Sequence, residues 1–128
     1  MMAKKMTDNT DILTEADVTL LVNSFYAKVR VDPVLGDIFN SIIKDNWPVH
    51  LKRMIDFWST VLLYTRIYKD DPMPKHLPMP INKEHFDRWL ALFDETIEEN
   101  FHGLIADNAR KRAASIASIM QAVKGIPR

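Results

Sequence analysis

The chain has 128 residues, 47% of them hydrophobic and 27% charged, enough for one domain around a single core. Seventeen Lys and Arg balance seventeen Asp and Glu, so no net field gathers nucleic acid or an anionic membrane. Without cysteine there are no disulfides, no thiolate-held metals and no thioether attachment of a prosthetic group through C-x-x-C-H.

The start, Met1 to Thr10, is polar and lacks an apolar run, which excludes a signal peptide or membrane span there and fits a cytoplasmic protein. Residues 1–13 are expected to form a flexible tail, 14–125 the single domain and 126–128 a short second tail. Thr14 with acids in the following turn predicts a helix start. Val18, Leu21, Val22, Phe25, Tyr26 and Val29 then recur at three- and four-residue spacing as one apolar stripe. Tyr26 lies inside it, so its hydroxyl needs a buried partner. Asp32-Pro33 caps a short turn carrying Leu35, Ile38 and Phe39, and Gly36 makes it a corner rather than a long helix.

Asn46-Trp47-Pro48 predicts the next helix, capped by Asn46 and running to about Tyr64–Tyr68. Its apolar face reads Trp47, His50, Leu51, Met54, Phe57, Trp58, Val61 and Leu62, so the His50 imidazole points where the core should be. A histidine there costs stability unless its nitrogens are satisfied. Four of the seven prolines then fall within nine residues, 72–80, around His76. The prolines restrict their own φ and the residues before them, so the backbone around His76 has few conformations to lose. Framed by Met73, Leu77 and Met79, that histidine suits an axial metal ligand; in isolation the same loop also reads as a stiff surface connection.

After the loop, Asn82 caps a helix bearing Phe86, Trp89, Leu90, Phe93, Ile97 and Phe101, with Gly103 supplying a left-handed C-terminal residue. The last helix, about Leu104 to Lys124, carries Ala109, Ala113, Ile116, Ile119, Met120 and Val123 on one face. His85 on the first turn of its helix is expected to be exposed, and His102 to act as a helix C-terminal cation. No segment alternates with period two, so the expected fold is all-α, with four main helices and short accessory turns.

The stripes are heavy in aromatic and methionine side chains, which suit a flat, polarizable ligand better than the Leu and Ala layers of a plain bundle. Three polar groups, Tyr26, His50 and Trp89, sit on apolar faces. Each left unpaired would cost ~1–3 kcal/mol, whereas gathered round one polar guest they satisfy one another.

The segments Phe25-Tyr26-Ala27-Lys28-Val29-Arg30, Leu35-Gly36-Asp37-Ile38-Phe39-Asn40, Trp47-Pro48-Val49-His50, His76-Leu77-Pro78-Met79-Pro80 and Glu84 to Phe93 carry a family pattern in their order and spacing. The chain resembles the truncated haemoglobins of the third group from about Thr14 to Val123. It lacks the paired-glycine motifs usual in the other two groups. The resemblance implies a shortened globin, a two-over-two helical sandwich around non-covalent haem b (iron protoporphyrin IX). It makes His76 the proximal iron ligand, Tyr26, His50 and Trp89 the distal residues that stabilise or gate the ligand, and Phe39 the ring packed on the haem plane. Met54 falls at the apolar distal position one turn beyond His50. Phe25, Phe57, Leu77, Phe86, Phe93 and Met120 complete the expected haem contacts, with Arg53 reaching a propionate and Lys75 a weaker candidate for the same role.

The resemblance further implies dioxygen, nitric oxide or another small diatomic as ligand, and a monomer or weak dimer. A pocket with Tyr26 and Trp89 as donors would hold dioxygen tightly, which favours chemistry on nitric oxide or peroxide over bulk transport. Any reductase would be a separate protein, since no flavin or nicotinamide domain is attached. Two rivals remain at this level: a cofactor-free helical interaction module, and a di-iron four-helix protein. The second needs two Glu-x-x-His pairs, and only Glu99-Asn100-Phe101-His102 has the spacing.

Overall fold

Thr14 opens the first helix by a reciprocal cap. Its Oγ1 accepts from the Asp17 N–H at 3.2 Å, while Asp17 Oδ2 accepts from the Thr14 N–H at 3.1 Å and the Leu13 N–H at 2.9 Å. In the computed structural model, which describes residues 10–63 and 81–124, helix α1 (Glu15–Val31) buries all six residues of the expected stripe, Tyr26 included. The short helix α2 (Gly36–Ile43) follows. Gly36 is required there because a Cβ at that position would lie 2.8 Å from the Arg30 carbonyl oxygen.

Asp32 joins three pieces of chain. Its Oδ2 accepts from the N–H groups of Val34 and Leu35 at 2.9 and 3.0 Å, and its Oδ1 accepts from Arg88 Nε at 2.6 Å. It therefore caps the turn at 33–35, as the Asp-Pro pair suggests, and α2 proper begins at Gly36. Burial pushes the Asp32 pKa up, but the Arg88 bond and the two backbone donors outweigh it and hold the carboxyl below its usual value of 3.8. The carboxylate is 2% exposed and Arg88 is 44% exposed, so removing Asp32 leaves a hydrated cation rather than a buried orphan. Asp32→Ala is expected to cost about 1–2 kcal/mol, mostly the cap, as a fall in urea midpoint at pH 7. Because the folded pKa is the lower one, this stability is present above the unfolded value. It is lost as pH falls through the folded value, so the gap between wild type and variant should close below about pH 4. A gap of constant size across that range would contradict the assignment.

A 3-10 turn, Lys44–Asn46, runs straight into α3 (Trp47–Leu63). Asn46 is thus the last residue of that turn and not the expected cap; Lys44, at φ 54°, makes the corner instead. The predicted continuation of α3 to Tyr64–Tyr68 and the proline loop with Lys75, His76 and Leu77 lie outside the described residues.

Helix α4 (Lys83–Asn100) starts at the predicted cap Asn82, and α5 (Leu104–Val123) matches its predicted span. Gly103 differs from expectation. Its φ is +146° and ψ −174°, a positive-φ conformation that favours glycine but is not the left-handed helical one, and it is the N-cap of α5. A Cβ there would sit 2.5 Å from the Asp11 carboxylate. That carboxylate supplies the missing cap: Asp11 Oδ2 accepts from Ile105 N–H at 2.9 Å and Oδ1 from Ala106 N–H at 2.8 Å.

The same contact corrects the domain boundary. The His102 N–H donates to the Thr10 carbonyl at 3.0 Å, Thr10 bridges Phe101, and Ile12 is fully buried. Residues 10–13 therefore belong to the fold rather than to a tail. On α5 the core face is Ala106, Ala109, Ala113, Ala117 and Met120; Ile119 and Val123, expected on it, are about half exposed. Helix α1 packs on α3 and α4, α4 on α5, and α3 touches α5. Among the described residues the fold is all-α, as expected. The apolar stripe of α5 is built from alanines, which lets it lie close to its neighbours.

Candidate functional site

Between these helices lies a cavity of about 690 Å3, part of it open to solvent, lined by Tyr26, Leu35, Phe39, Met54, Phe57, Trp58, Ile81, His85, Phe86, Trp89, Ile116, Ala117 and Met120. Every main helix contributes. Helix α1 sends Tyr26, α2 Phe39, α3 Met54, Phe57 and Trp58, α4 His85, Phe86 and Trp89, and α5 Ile116, Ala117 and Met120.

The wall behind is aromatic. Phe93 stacks between Trp58 and Trp89, with ring centroids 5.0 and 5.8 Å away, and Phe25 meets Tyr26, Trp89 and Phe93 edge-on at 4.8, 5.6 and 5.2 Å. Phe25 and Phe93, both 1% exposed, thus hold the lining residues in place and do not line the cavity themselves.

The polar groups are few and specifically placed. The Tyr26 hydroxyl lies beside the Trp89 side chain, which lowers its pKa as a hydrogen-bond donor does. An indole N–H can only donate, so Tyr26 Oη is the acceptor and its own hydrogen is left for another partner. Burial pushes the Tyr26 pKa far above its ordinary value, and the Trp89 bond offsets only part of this. The phenol therefore stays neutral and keeps its donor. His50 packs edge-on against the Tyr26 ring at 5.0 Å and the Trp47 ring at 5.6 Å. It supports Tyr26 from behind and is not itself a lining residue. Arg53, expected to reach the pocket rim, is exposed and lies outside the lining.

His85 was expected to be solvated. Instead it is half-buried and lines the cavity, with Nδ1 accepting from the Asn82 backbone N–H at 3.0 Å. It is the return half of the capping box that starts α4. The other lining residues that the sequence did not single out for the site are Leu35, Trp58, Ile81, Ile116 and Ala117. Of these, Leu35, Trp58 and Ile116 lie on apolar stripes that were legible. Ile81 and Ala117 carried no signal.

The lining fits a flat apolar macrocycle: large rings and thioethers cover most of the wall, Tyr26 and Trp89 make one polar corner, and the Trp58 indole and His85 are the other polar groups of the lining. Such a pocket belongs to a haem protein of globin type. The chain belongs to the bacterial-like globin family, whose model matches residues 11–123, and it is a haem-binding globin.

Within that family its likeness runs to the truncated haemoglobins of the third group. Over 115 residues it is 33% identical to the group 3 truncated haemoglobin of Campylobacter jejuni, covering 87% of this chain and 91% of that protein. The crystal structure of a group III truncated haemoglobin from the same organism matches with a TM-score of 0.83 at 32% identity, over 90% of this chain and 94% of that one. The truncated oxygen-avid haemoglobin of Bacillus subtilis matches with a TM-score of 0.71 at 26% identity, over 84% and 92%. The cofactor-free module and the di-iron bundle are set aside by this membership. No described helix is long and apolar enough to cross a membrane.

Proposed function

We propose that this globin binds dioxygen and related diatomic ligands at a five-coordinate ferrous haem b held by His76, and uses them in redox chemistry on nitric oxide or peroxide rather than in bulk transport. The observation that carries the reading is the pairing of Tyr26 and Trp89 in a pocket lined mostly by apolar side chains. Haem held by His76 would supply a one-electron iron couple and a binding position for a diatomic ligand. The chain supplies the rest. Trp89 donates to Tyr26 Oη, which polarises the phenol and turns its hydrogen toward a ligand. In a low-dielectric setting that bond is stronger than in water. Phe39, Met54 and Phe86 exclude water around it. The likeness to a haemoglobin described as oxygen-avid supports tight holding of dioxygen, which suits reaction at the site better than release. Electrons would come from a separate reductase.

The experiment mixes the ferrous protein under dioxygen with nitric oxide in a stopped flow, beside a parallel assay with peroxide and a phenolic electron donor. Rapid stoichiometric nitrate, or donor oxidation well above that of free haem, is expected. Rates no faster than free haem in both assays would overturn the reading. Run between about pH 5 and 8, the same traces test His50 as a gate, because a protonated imidazole against Tyr26 would swing outward and quicken ligand access. Access indifferent to pH would leave His50 as a packing residue.

A further inference from the structure

His85 is a lining residue whose polarity the distal corner does not explain. Four side chains of the described wall carry a polar atom: Tyr26, His85 and the indoles of Trp58 and Trp89. Trp89 lies beside the Tyr26 hydroxyl, and Trp58 is 2% exposed and stacked on Phe93. His85 stands one helical turn before Trp89, on the first turn of α4, and is half-buried. The capping box settles what it presents. Nδ1 accepts the Asn82 N–H at 3.0 Å, so the neutral ring carries its hydrogen on Nε2. An imidazole in that tautomer has no lone pair on Nε2 for a metal. It has a donor.

Haem carries two carboxylates on an otherwise apolar disc. A carboxylate is costly to bury without a charged or hydrogen-bonding partner and is held most cheaply where the wall is both polar and partly open to water. Tyr26 is 5% and Trp58 2% exposed, and the Trp89 indole acts on the Tyr26 hydroxyl. Leu35, Phe39, Met54, Phe57, Phe86 and Met120 offer nothing. The nearby cation Lys83 is engaged by Asp87 at 2.7 Å. The N-terminal end of α4, eighteen residues long, adds its favourable dipole to the same place.

We propose that His85 donates from Nε2 to a haem propionate, so that the cap that starts α4 also fixes the donor that anchors the cofactor's carboxylate edge. This rests on the haem reading and adds a binding residue to it, in place of the exposed Arg53.

The test exploits the capping box. Glutamate is the residue usually found at this N3 position, where its side chain accepts from the N-cap N–H, so His85→Glu keeps the fold of the helix start while replacing a donor with an anion. His85→Gln keeps the cap and an N–H donor. Haem is loaded into wild type and both variants, and its loss to an excess of apomyoglobin is followed in the visible spectrum. The series is repeated with iron protoporphyrin dimethyl ester, whose carboxylates are blocked, and apoprotein urea midpoints are recorded throughout. The expected result is haem loss at least tenfold faster in His85→Glu and close to wild type in His85→Gln. Apoprotein midpoints should be unchanged, and the difference should vanish with the dimethyl ester. Equal loss from all three proteins, or an equal gap with the dimethyl ester, would overturn the proposal. A wild-type chain that took up neither pigment would overturn the haem reading itself.

Discussion

Replacing His76 by glycine should abolish axial ligation. The purified variant is expected to lose nearly all of its pigment, or to hold it with a shifted visible spectrum, and added imidazole should restore the wild-type bands. His50 stands behind Tyr26 rather than in the lining, and His102 is exposed beside the N-cap of α5, where it helps lower the Asp11 pKa. His85 has its Nδ1 committed to Asn82, which leaves Nε2 protonated. The Tyr26 phenol is held neutral by burial and is a poor iron ligand. Of the four histidines, His76 is left. It lies five positions before Ile81, itself a lining residue. A His76→Gly protein that kept a full complement of haem with an unaltered spectrum would refute the assignment, whatever its stability.

The parts of this site that could be read from the sequence are those carried by local periodicity. The stripes of α1, α3 and α4 place Tyr26, Met54, Phe57, Phe86 and Trp89 on inward faces, and the caps Thr14 and Asn82 stand where the residue types put them. The parts that could not be read depend on contacts between distant segments. Asp11 caps a helix that begins at Leu104, and nothing in the polar run around Asp11 announces a partner so far along the chain. Ile12 is one apolar residue without a repeat, yet it is fully buried. Gly103 looks like a helix terminator because it follows α4; it is instead the N-cap of α5, with the Asp11 side chain packed where a Cβ would sit.

His85 is a different kind of miss, since a signal was available. It precedes Trp89 by four residues, which puts both on one face of α4. It also stands three residues after Asn82, the position of a capping-box partner. Histidine is not the usual occupant of that position, and a polar residue in a first turn is ordinarily solvated. Phe25 and Phe93 show the opposite error. Their periodicity marks them as buried, but burial alone cannot separate a residue that touches a ligand from one that backs the residue that does.

Loss of either half of the Tyr26–Trp89 pair is expected to speed dioxygen release. A hydrogen bond of this kind in a buried site is worth ~1–3 kcal/mol. That corresponds to a rise in the dissociation rate constant of roughly 5- to 150-fold, read by stopped-flow displacement with carbon monoxide. Tyr26→Phe removes the hydrogen that faces the ligand and keeps the ring against Phe25 and His50, so its effect should sit in the upper part of that range. Trp89→Phe keeps a ring against Phe93 and Phe25 but takes away the donor to Tyr26 Oη. The phenol then remains and is free to turn its hydrogen elsewhere, so a smaller rise is expected. Because Trp89 acts largely through Tyr26, the two changes should not add. In the double variant, release should be little faster than in Tyr26→Phe alone, a coupling of the size seen for residues in one network. If the two effects multiplied in full, Trp89 would be a separate donor and the relay from indole to phenol would be wrong. If neither substitution changed the rate, the distal corner would play no part in holding the ligand.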